Sequence, residues 1–249
     1  MTLDTRLRPE VGQLRRVSRA LSVTPVLRWL ALTHAVAAGL PWQTRCAVCD
    51  TPAGLGGPPG ALLPTARCGR CRSRVGPPPL TVELLALAAL VAGVATVPVA
   101  VTPAYALWAA LAVPLLLVDL AVHRLPDRLT YPAAAGVFLL LGVSGDVDRW
   151  WRALLAGLAA ALFFAATTLI LGRRGFGLGD AKLALSCAAL LGWFGMSAVI
   201  LGLMVALAAS AVTSLALLAA RKVRWSSHLP FGPFLIAGTV AVLVVIPPS

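Results

Sequence analysis

Residues 153–171 read ALLAGLAAALFFAATTLIL, a run without a charged side chain, and this stretch decides the fold class. A straight membrane-spanning helix needs about 20 apolar residues, so the run has the length and composition of one span. Outward from it, similar segments occur near 80–97, 103–119, 131–144, 183–194, 197–220 and 231–247. The two short ones, 131–144 and 183–194, are expected to borrow turns from adjoining loops. We therefore predict an all-α polytopic membrane protein with seven or eight transmembrane helices.

The composition excludes other classes of protein. Of the 249 residues, 59% are hydrophobic and 12% are charged, and the mean hydropathy is +0.88. Soluble domains carry about 25% charged residues. The net charge of +12 would suit a nucleic-acid binder, but the cations occur in short clusters between apolar segments rather than over one face. We therefore predict the lipid bilayer as surroundings and no nucleic-acid partner.

The cationic clusters also predict an orientation. On one side, the gaps between spans hold thirteen Lys and Arg residues, whereas the opposite gaps hold only Arg149 and Arg152. Cytoplasmic loops carry the excess of positive charge. We therefore predict a multi-pass membrane protein with these loops in the cytoplasm. The thirteen are Arg45, Arg67, Arg70, Arg72, Arg74, Arg124, Arg128, Arg173, Arg174, Lys182, Arg221, Lys222 and Arg224.

The N-terminal region, residues 1–41, consists of a polar, Arg-rich arm and a weak apolar segment. That segment, LSVTPVLRWLALTHAVAAGLP, is interrupted by Arg28 and His34. Two interpretations stay open: an eighth span, or an amphipathic helix lying on the inner surface. The arm lacks the apolar core of a cleavable signal peptide. Along the chain we identify no internal repeat.

A Gly/Pro/Arg-rich region, residues 42–79, contains two pairs of cysteines. The pairs, CAVC and CGRC, are eighteen residues apart and contribute Cys46, Cys49, Cys68 and Cys71. Each pair can form a short turn, called a knuckle, and two knuckles can bind one tetrahedral cation between them. Four thiolates suit zinc and fill its coordination shell. Disulfides are disfavoured in the cytoplasm, and a redox pair would need a strand and helix around it. We predict a cytoplasmic module with a structural zinc ion.

Three of the nine acidic residues lie at the ends of apolar helices on the predicted cytoplasmic side: Asp119, Asp127 and Asp180. An ionisable group within a spanning segment is a functional hypothesis by default. Asp119 follows VPLLLV without a break and so lies on a final helical turn, where the helix dipole disfavours a negative charge. Asp127, in LPDRLT, could instead cap the next helix.

Asp180 ends the glycine-rich stretch GFGLGD. The glycines Gly175, Gly177 and Gly179 could adopt positive φ or allow close approach of another helix. Lys182, two residues further on, is expected to extend to the interface or to orient Asp180. We predict that Gly177, Gly179 and Lys182 support the carboxylate.

Asp119 and Asp180 are predicted to reach the same depth from different helices. Two carboxylates in that arrangement can hold a water molecule between them, which is the geometry of aspartyl proteolysis. We therefore predict them as the catalytic pair. A transporter or ion pathway also uses buried aspartates, but it would place them at the bilayer midplane. A catalytically inactive scaffold held by the zinc module also stays open.

Four stretches resemble one family, the type IV prepilin peptidases, which are membrane-embedded aspartyl proteases of bacteria. The paired cysteines lead into PPPLTVELL, with Glu83 at the family's usual acidic position. DLAVHRLPDRLTYP is similar to the family's first aspartate motif, and GLGDAKLALSCAALLGW to its GxGD motif. HLPFGPFLIAG, residues 228–238, is similar to the start of its last helix. The resemblance covers residues 46–240.

The resemblance implies that residues 80–249 form a transmembrane aspartyl peptidase domain, with Asp127 secondary to Asp119 and Asp180. It implies prepilin or pseudopilin substrates, which have a basic leader and a hydrophobic helix and are cleaved after a glycine on the cytoplasmic side. Many members also methylate the new N-terminus with S-adenosylmethionine. Their first helix ends in an Asn-containing motif, which HAVAAGLPWQTRC lacks, so the resemblance leaves methyl transfer open.

Overall fold

The computed structural model describes residues 21–37, 39–172, 176–224 and 229–245. Within these ranges every regular element is helical, which confirms the all-α prediction. A 3-10 helix, Pro59–Leu62, lies among the cysteines. The N-terminal arm, Arg173 and Arg174 lie outside the described residues. The α-helices are α1 (21–34), α2 (Thr81–Thr96), α3 (Thr102–Val122), α4 (Asp127–Gly142), α5 (Val147–Leu171), α6 (Leu178–Phe194), α7 (Met196–Ala219) and α8 (Gly232–Val245).

Three helices in the described part of the chain are long and apolar enough to cross a membrane: α3, α5 and α7. Helices α2 and α8 are apolar but shorter. The chain is therefore a helical membrane protein, while the number of crossings stays a prediction.

Helices α4 and α6 begin several residues before the apolar segments 131–144 and 183–194. Each starts after an extended residue, Pro126 in one case and Gly177 in the other. The first turns contain charged residues, which a hydropathy profile assigns to the loop. The expectation that these segments borrow turns from the loops is thus confirmed, and it places Asp127 and Asp180 inside helices.

Helices α5 and α6 pack closely because glycines remove side chains from their contact. A methyl group added at Gly157 of α5 would lie 2.7 Å from the Leu185 carbonyl oxygen of α6. At the far end of α6, Arg152 donates hydrogen bonds of 2.8 Å to the carbonyls of Gly192 and Trp193. The guanidinium therefore caps the C-terminus of α6.

Helices α7 and α8 form a second close pair. A methyl group at Gly238 would lie 2.5 Å from the Gly202 carbonyl oxygen, so the two backbones are nearly in contact. Small residues give this kind of packing in membranes. A single residue, Gly195, joins α6 to α7, and its φ of 141° is one that favours glycine.

Helix α1 packs against both the membrane part and the cysteine region. Leu27 contacts the cluster that contains Val82 of α2, and Leu32 packs in the cluster around the cysteines. Arg28 is completely buried and forms an ion pair of 2.7 Å with Glu83, in the first turn of α2. The arginine that interrupts the apolar segment is thus neutralised within the protein. Both interpretations of α1, as an eighth span and as a helix on the inner surface, stay open.

Candidate functional site

Asp119 lies in the last turn of α3 and is only 4% exposed. The helix ends three residues later because His123 adopts a left-handed backbone, with φ 51°, and donates its amide hydrogen bond to the Asp119 carbonyl. This is a common form of helix C-cap. The side-chain Oδ2 accepts a hydrogen bond of 3.1 Å from the amide of Gly232, the first residue of α8. The end of one helix thus holds this carboxylate against the start of another.

Asp180 lies in the first turn of α6, where its Oδ2 accepts a hydrogen bond of 2.9 Å from the Gly177 amide. Gly177 is extended and Gly179 is helical, and neither has positive φ. Of the two roles expected for these glycines, close approach applies to Gly179, where a methyl group would lie 3.1 Å from Leu125. Gly175, the other glycine of the motif, lies outside the described residues.

A cavity of about 890 Å³ reaches both carboxylates. It is bordered by the ends of α3 and α5, the start of α6, the second half of α7 and the segment before α8. Both side chains line this one cavity, so the two acids belong to one site. One part of the wall is apolar and includes Phe176, Leu215, Leu218 and Phe231. The other residues of the wall include polar and charged side chains besides the two acids, namely His123, Thr168, Ser210, Ser214 and Arg224. Two carboxylates beside such a space can exchange protons with a bound water molecule.

Asp127 and Lys182 interact with each other. Asp127 is the first residue of α4, and the N-cap is Pro126, so Asp127 does not occupy the cap position considered for it. Its Oδ1 accepts a hydrogen bond of 2.5 Å from Lys182 Nζ, which also lies 5.1 Å from the centre of the Tyr131 ring. Lys182 was expected to orient Asp180, but its contacts in the structure are with Asp127 and Tyr131. Residues two apart on a helix do not face each other, which explains the difference.

The sequence interpretation missed Gly232, whose amide holds Asp119. The stretch HLPFGPF was interpreted only as the start of the last helix. The sequence nevertheless contained a signal for this contact. The first amides of a helix have no hydrogen-bond acceptor within that helix, so they can donate to another group. The following residue, Pro233, has no amide hydrogen at all. Gly232 is therefore well suited to donate to a neighbouring acceptor.

The four cysteines come together as predicted. Their Sγ atoms lie within 4.8 Å of one another, and the four residues are free thiols. The Sγ atoms of Cys46 and Cys71 are 3.7 Å apart, and those of Cys49 and Cys68 are 3.6 Å apart. A tetrahedral zinc ion with Zn–S bonds of about 2.3 Å needs sulfur atoms about 3.8 Å apart. The donor set and its spacing thus fit a metal ion such as zinc.

The two cysteine knuckles have similar backbone structures. Residues 45–52 and 67–74 each form a tight turn closed by an isolated antiparallel bridge. Asp50 and Arg72 hold equivalent left-handed positions, with φ of 52° and 58°. Arg45 donates a hydrogen bond of 2.9 Å to the carbonyl of Asp50, and Arg67 donates one of 3.1 Å to the carbonyl of Arg72. The sequence signal, RCxxC followed by a residue and then Thr or Ser, is short and easily overlooked.

The hydroxyl residue of each knuckle lies beside the sulfur atoms. Ser73 Oγ is 3.3 Å from Cys46 Sγ. Hydrogen bonding from Ser73, and then from the backbone amides of Val48 and Cys49, lowers the pKa of the Cys46 thiol to about 6. Thr51 lowers the pKa of Cys49 in the same way. Thiolates are the form that binds metals, so these contacts favour the ligand state.

The fold and the site together define a class: helical membrane proteins with paired carboxylates at the ends of their helices. Residues 104–219, from α3 to α7, match the model of the type IV leader peptidase family. This stretch includes Asp119 and Asp180, whereas the cysteine region lies before it. No solved structure matches the chain.

Similar proteins carry the name prepilin leader peptidase/N-methyltransferase. The protein of Aeromonas salmonicida (strain A449) is 33% identical over 183 residues, which cover 71% of this chain and 62% of that protein. The protein of Burkholderia pseudomallei (strain K96243) is 34% identical over 185 residues, which cover 71% of this chain and 58% of that protein. The match thus extends over about six tenths of the length of these relatives.

Proposed function

We propose that the chain is an intramembrane aspartyl endopeptidase that removes the leader peptide of type IV prepilin-like proteins. The observation that carries this proposal is the single cavity shared by Asp119 and Asp180. The family match and the names of the relatives support the same activity. An ion pathway is less well supported, because Asp119, Asp127 and Asp180 all lie at one end of their helices instead of at mid-depth.

The reaction we propose uses the two carboxyl groups and one water molecule. Like charges at close range disfavour double ionisation, so the pair holds one proton. The ionised carboxylate takes a proton from the water, and the water oxygen attacks the scissile carbonyl carbon. The protonated partner donates to the carbonyl oxygen. Collapse of the tetrahedral intermediate breaks the C–N bond, and the leaving amine takes up the proton that the first carboxylate removed from the water. The second carboxylate regains its proton from a hydroxyl group of the intermediate.

The substrate we propose has a basic leader and a hydrophobic helix, as prepilins and pseudopilins do. The scissile bond of such a protein lies where its helix leaves the membrane. Our catalytic pair lies at helix ends, beside an apolar part of the cavity wall formed by residues such as Phe176, Leu215 and Phe231. We do not propose methyl transfer for this chain, because the support for it comes from the names of the relatives alone.

We further propose three parts of the chain: residues 1–41 as an N-terminal segment, residues 42–79 as a metal module, and residues 80–249 as the peptidase domain. The positive-inside rule favours a cytoplasmic location for the module and the carboxylates in a multi-pass inner-membrane protein. Contacts of Leu32 with the module and of Leu27 with the α2 region join the first part to the other two.

The test of the activity is leader cleavage after co-expression with a candidate prepilin. Asp119→Asn and Asp180→Asn should each abolish cleavage, whereas Asp127→Asn should reduce it less, because Asp127 does not line the cavity. Asp148→Asn, at an exposed residue in the first turn of α5, is the matched control and should cleave normally. Mass measurement of the product N-terminus reports cleavage and methylation together. Retained cleavage by either catalytic-pair variant would rule out the paired mechanism.

We also propose that Cys46, Cys49, Cys68 and Cys71 hold a structural zinc ion. Metal binding would then supply folding free energy to a module that is too small to bury a large core. Cys46→Ser should remove the metal and make the region from residue 42 to 79 sensitive to protease. Cys187→Ser is the control, because Cys187 is buried in α6 away from the module. Zinc per chain, measured by elemental analysis, should fall only in the first variant; equal zinc in both would contradict the four-thiolate site.

A further inference from the structure

One leucine in the short connection between α3 and α4 contacts the starts of both α6 and α8. Leu125 is 7% exposed and belongs to the main apolar core. It follows Asp119 by six residues, so it lies just beyond the end of α3. Its side chain is therefore packed in the region where the two carboxylates are held.

The contact with α6 is made at Gly179, the residue before Asp180. A methyl group at Gly179 would lie 3.1 Å from Leu125 Cβ and 3.4 Å from its Cδ1. These distances are at the short limit of ordinary packing. The leucine thus lies directly against the backbone that carries the Asp180 side chain.

The contact with α8 is made at Gly232, whose amide donates to Asp119. A methyl group at Gly232 would lie 3.4 Å from Leu125 Cδ1 and 2.6 Å from Asp119 Oδ2. The missing side chain of Gly232 therefore lets both the leucine and the carboxylate approach the same backbone. One side chain contacts the two glycine backbones that lie next to the catalytic pair.

We propose that Leu125 is a positioning residue that sets the separation of the Asp119 and Asp180 carboxylates by packing between Gly179 and Gly232. The inference rests on the proposed function. Interiors are close-packed, so removing most of this side chain would allow α6 or α8 to move into the gap. Leu125 is not among the residues that line the cavity, so it acts through the glycines and not through contact with substrate.

The spacing can be measured without catalysis. The double variant Asp119→Cys/Asp180→Cys provides two thiols that react with bifunctional methanethiosulfonate linkers of graded length. Mass mapping of the linked peptides distinguishes this pair from links that involve the native cysteines. We expect one short linker to react best, and we expect Leu125→Ala to shift or broaden that preference. Leu129→Ala, which truncates another buried leucine of the same core, should lower stability but leave the preference unchanged. An unchanged profile in Leu125→Ala, or no linkage at all in the parent pair, would overturn the proposal.

Kinetics of leader cleavage give the second readout. Because misplacement by about 1 Å can cost about 100-fold in rate, Leu125→Ala should lower kcat by about that factor with KM nearly unchanged. Leu125→Met, of similar volume, should restore most of the rate. Equal kcat in Leu125→Ala and the natural chain would contradict the positioning role. If the natural chain cleaves no prepilin but the linker profile still depends on Leu125, the proposed function fails while the positioning inference stands.

Discussion

In the described part of the chain, a carboxylate is buried at two places, Glu83 at one and Asp119 at the other, and these two places are built differently. At the junction of α1 and α2, Arg28 donates to Glu83 at 2.7 Å and to the carbonyl of Pro77 at 3.1 Å. At the cavity, the described hydrogen bonds to Asp119 and Asp180 come from backbone amides. One place joins opposite charges, whereas the other places two acids together.

The difference shows what each place can do. Arg28 is completely buried, and its charge is compensated by a carboxylate from another helix, so this pair fixes α1 on α2. The two aspartates instead border one cavity of about 890 Å³. Buried acids that are paired with a cation are structural, whereas acids that share a cavity remain available for proton transfer.

The largest effect is expected at the ion pair. Glu83→Gln leaves the Arg28 charge buried without its counter-ion, and breaking a buried pair in this way costs about 3–5 kcal/mol. The free energy of unfolding, measured by denaturant titration in detergent micelles, should fall by that amount. Leader cleavage by the remaining folded protein should persist, because Glu83 does not line the cavity.

A double variant is the control for this prediction. Arg28→Met combined with Glu83→Leu removes both charges and keeps most of the buried volume, and such replacements are often neutral or stabilising. We expect the double variant to be more stable than Glu83→Gln alone. If both variants lost the same free energy, the effect would come from packing at this junction and not from an uncompensated charge.

The smallest effect on stability is expected at Asp119. In Asp119→Asn the side-chain oxygen can still accept the hydrogen bond from Gly232, which is 3.1 Å away in the natural chain. A neutral amide also avoids the cost of burying a charge. We expect the free energy of unfolding to change by less than about 1 kcal/mol, measured in the same titration. A loss as large as that of Glu83→Gln would mean that this carboxylate, too, is a structural group.

Much of the fold and part of the site could be predicted from sequence because they depend on local patterns. Apolar runs of the right length identified the long helices α3, α5 and α7. The spacing of CAVC and CGRC predicted one four-sulfur cluster, and the sulfur atoms do lie together. Asp119 and Asp180 could be selected because each interrupts or borders an apolar segment, and both reach one cavity. Their catalytic role remains a proposal.

The parts that sequence did not reveal depend on contacts between distant residues. Nothing in the sequence near Arg28 indicates that Glu83, fifty-five positions away, would neutralise it. The contact of Lys182 with Asp127 is equally distant, and it depends on the direction in which the lysine leaves α6. Leu125 was not recognised either, because a leucine in an apolar chain has no distinctive pattern. Its position becomes evident only when two glycine backbones are placed beside it.

The single residue that joins α6 to α7 determines how the cavity can change shape. Gly195 connects α6 to α7 at the end that is remote from the aspartates. At that same end of α6, Arg152 of α5 donates a hydrogen bond to the carbonyl of Gly192. Sliding of α7 along α6 is therefore restricted there. Widening of the cavity would require α7 to tilt about Gly195 as a pivot, together with α8, to which it is packed at Gly202.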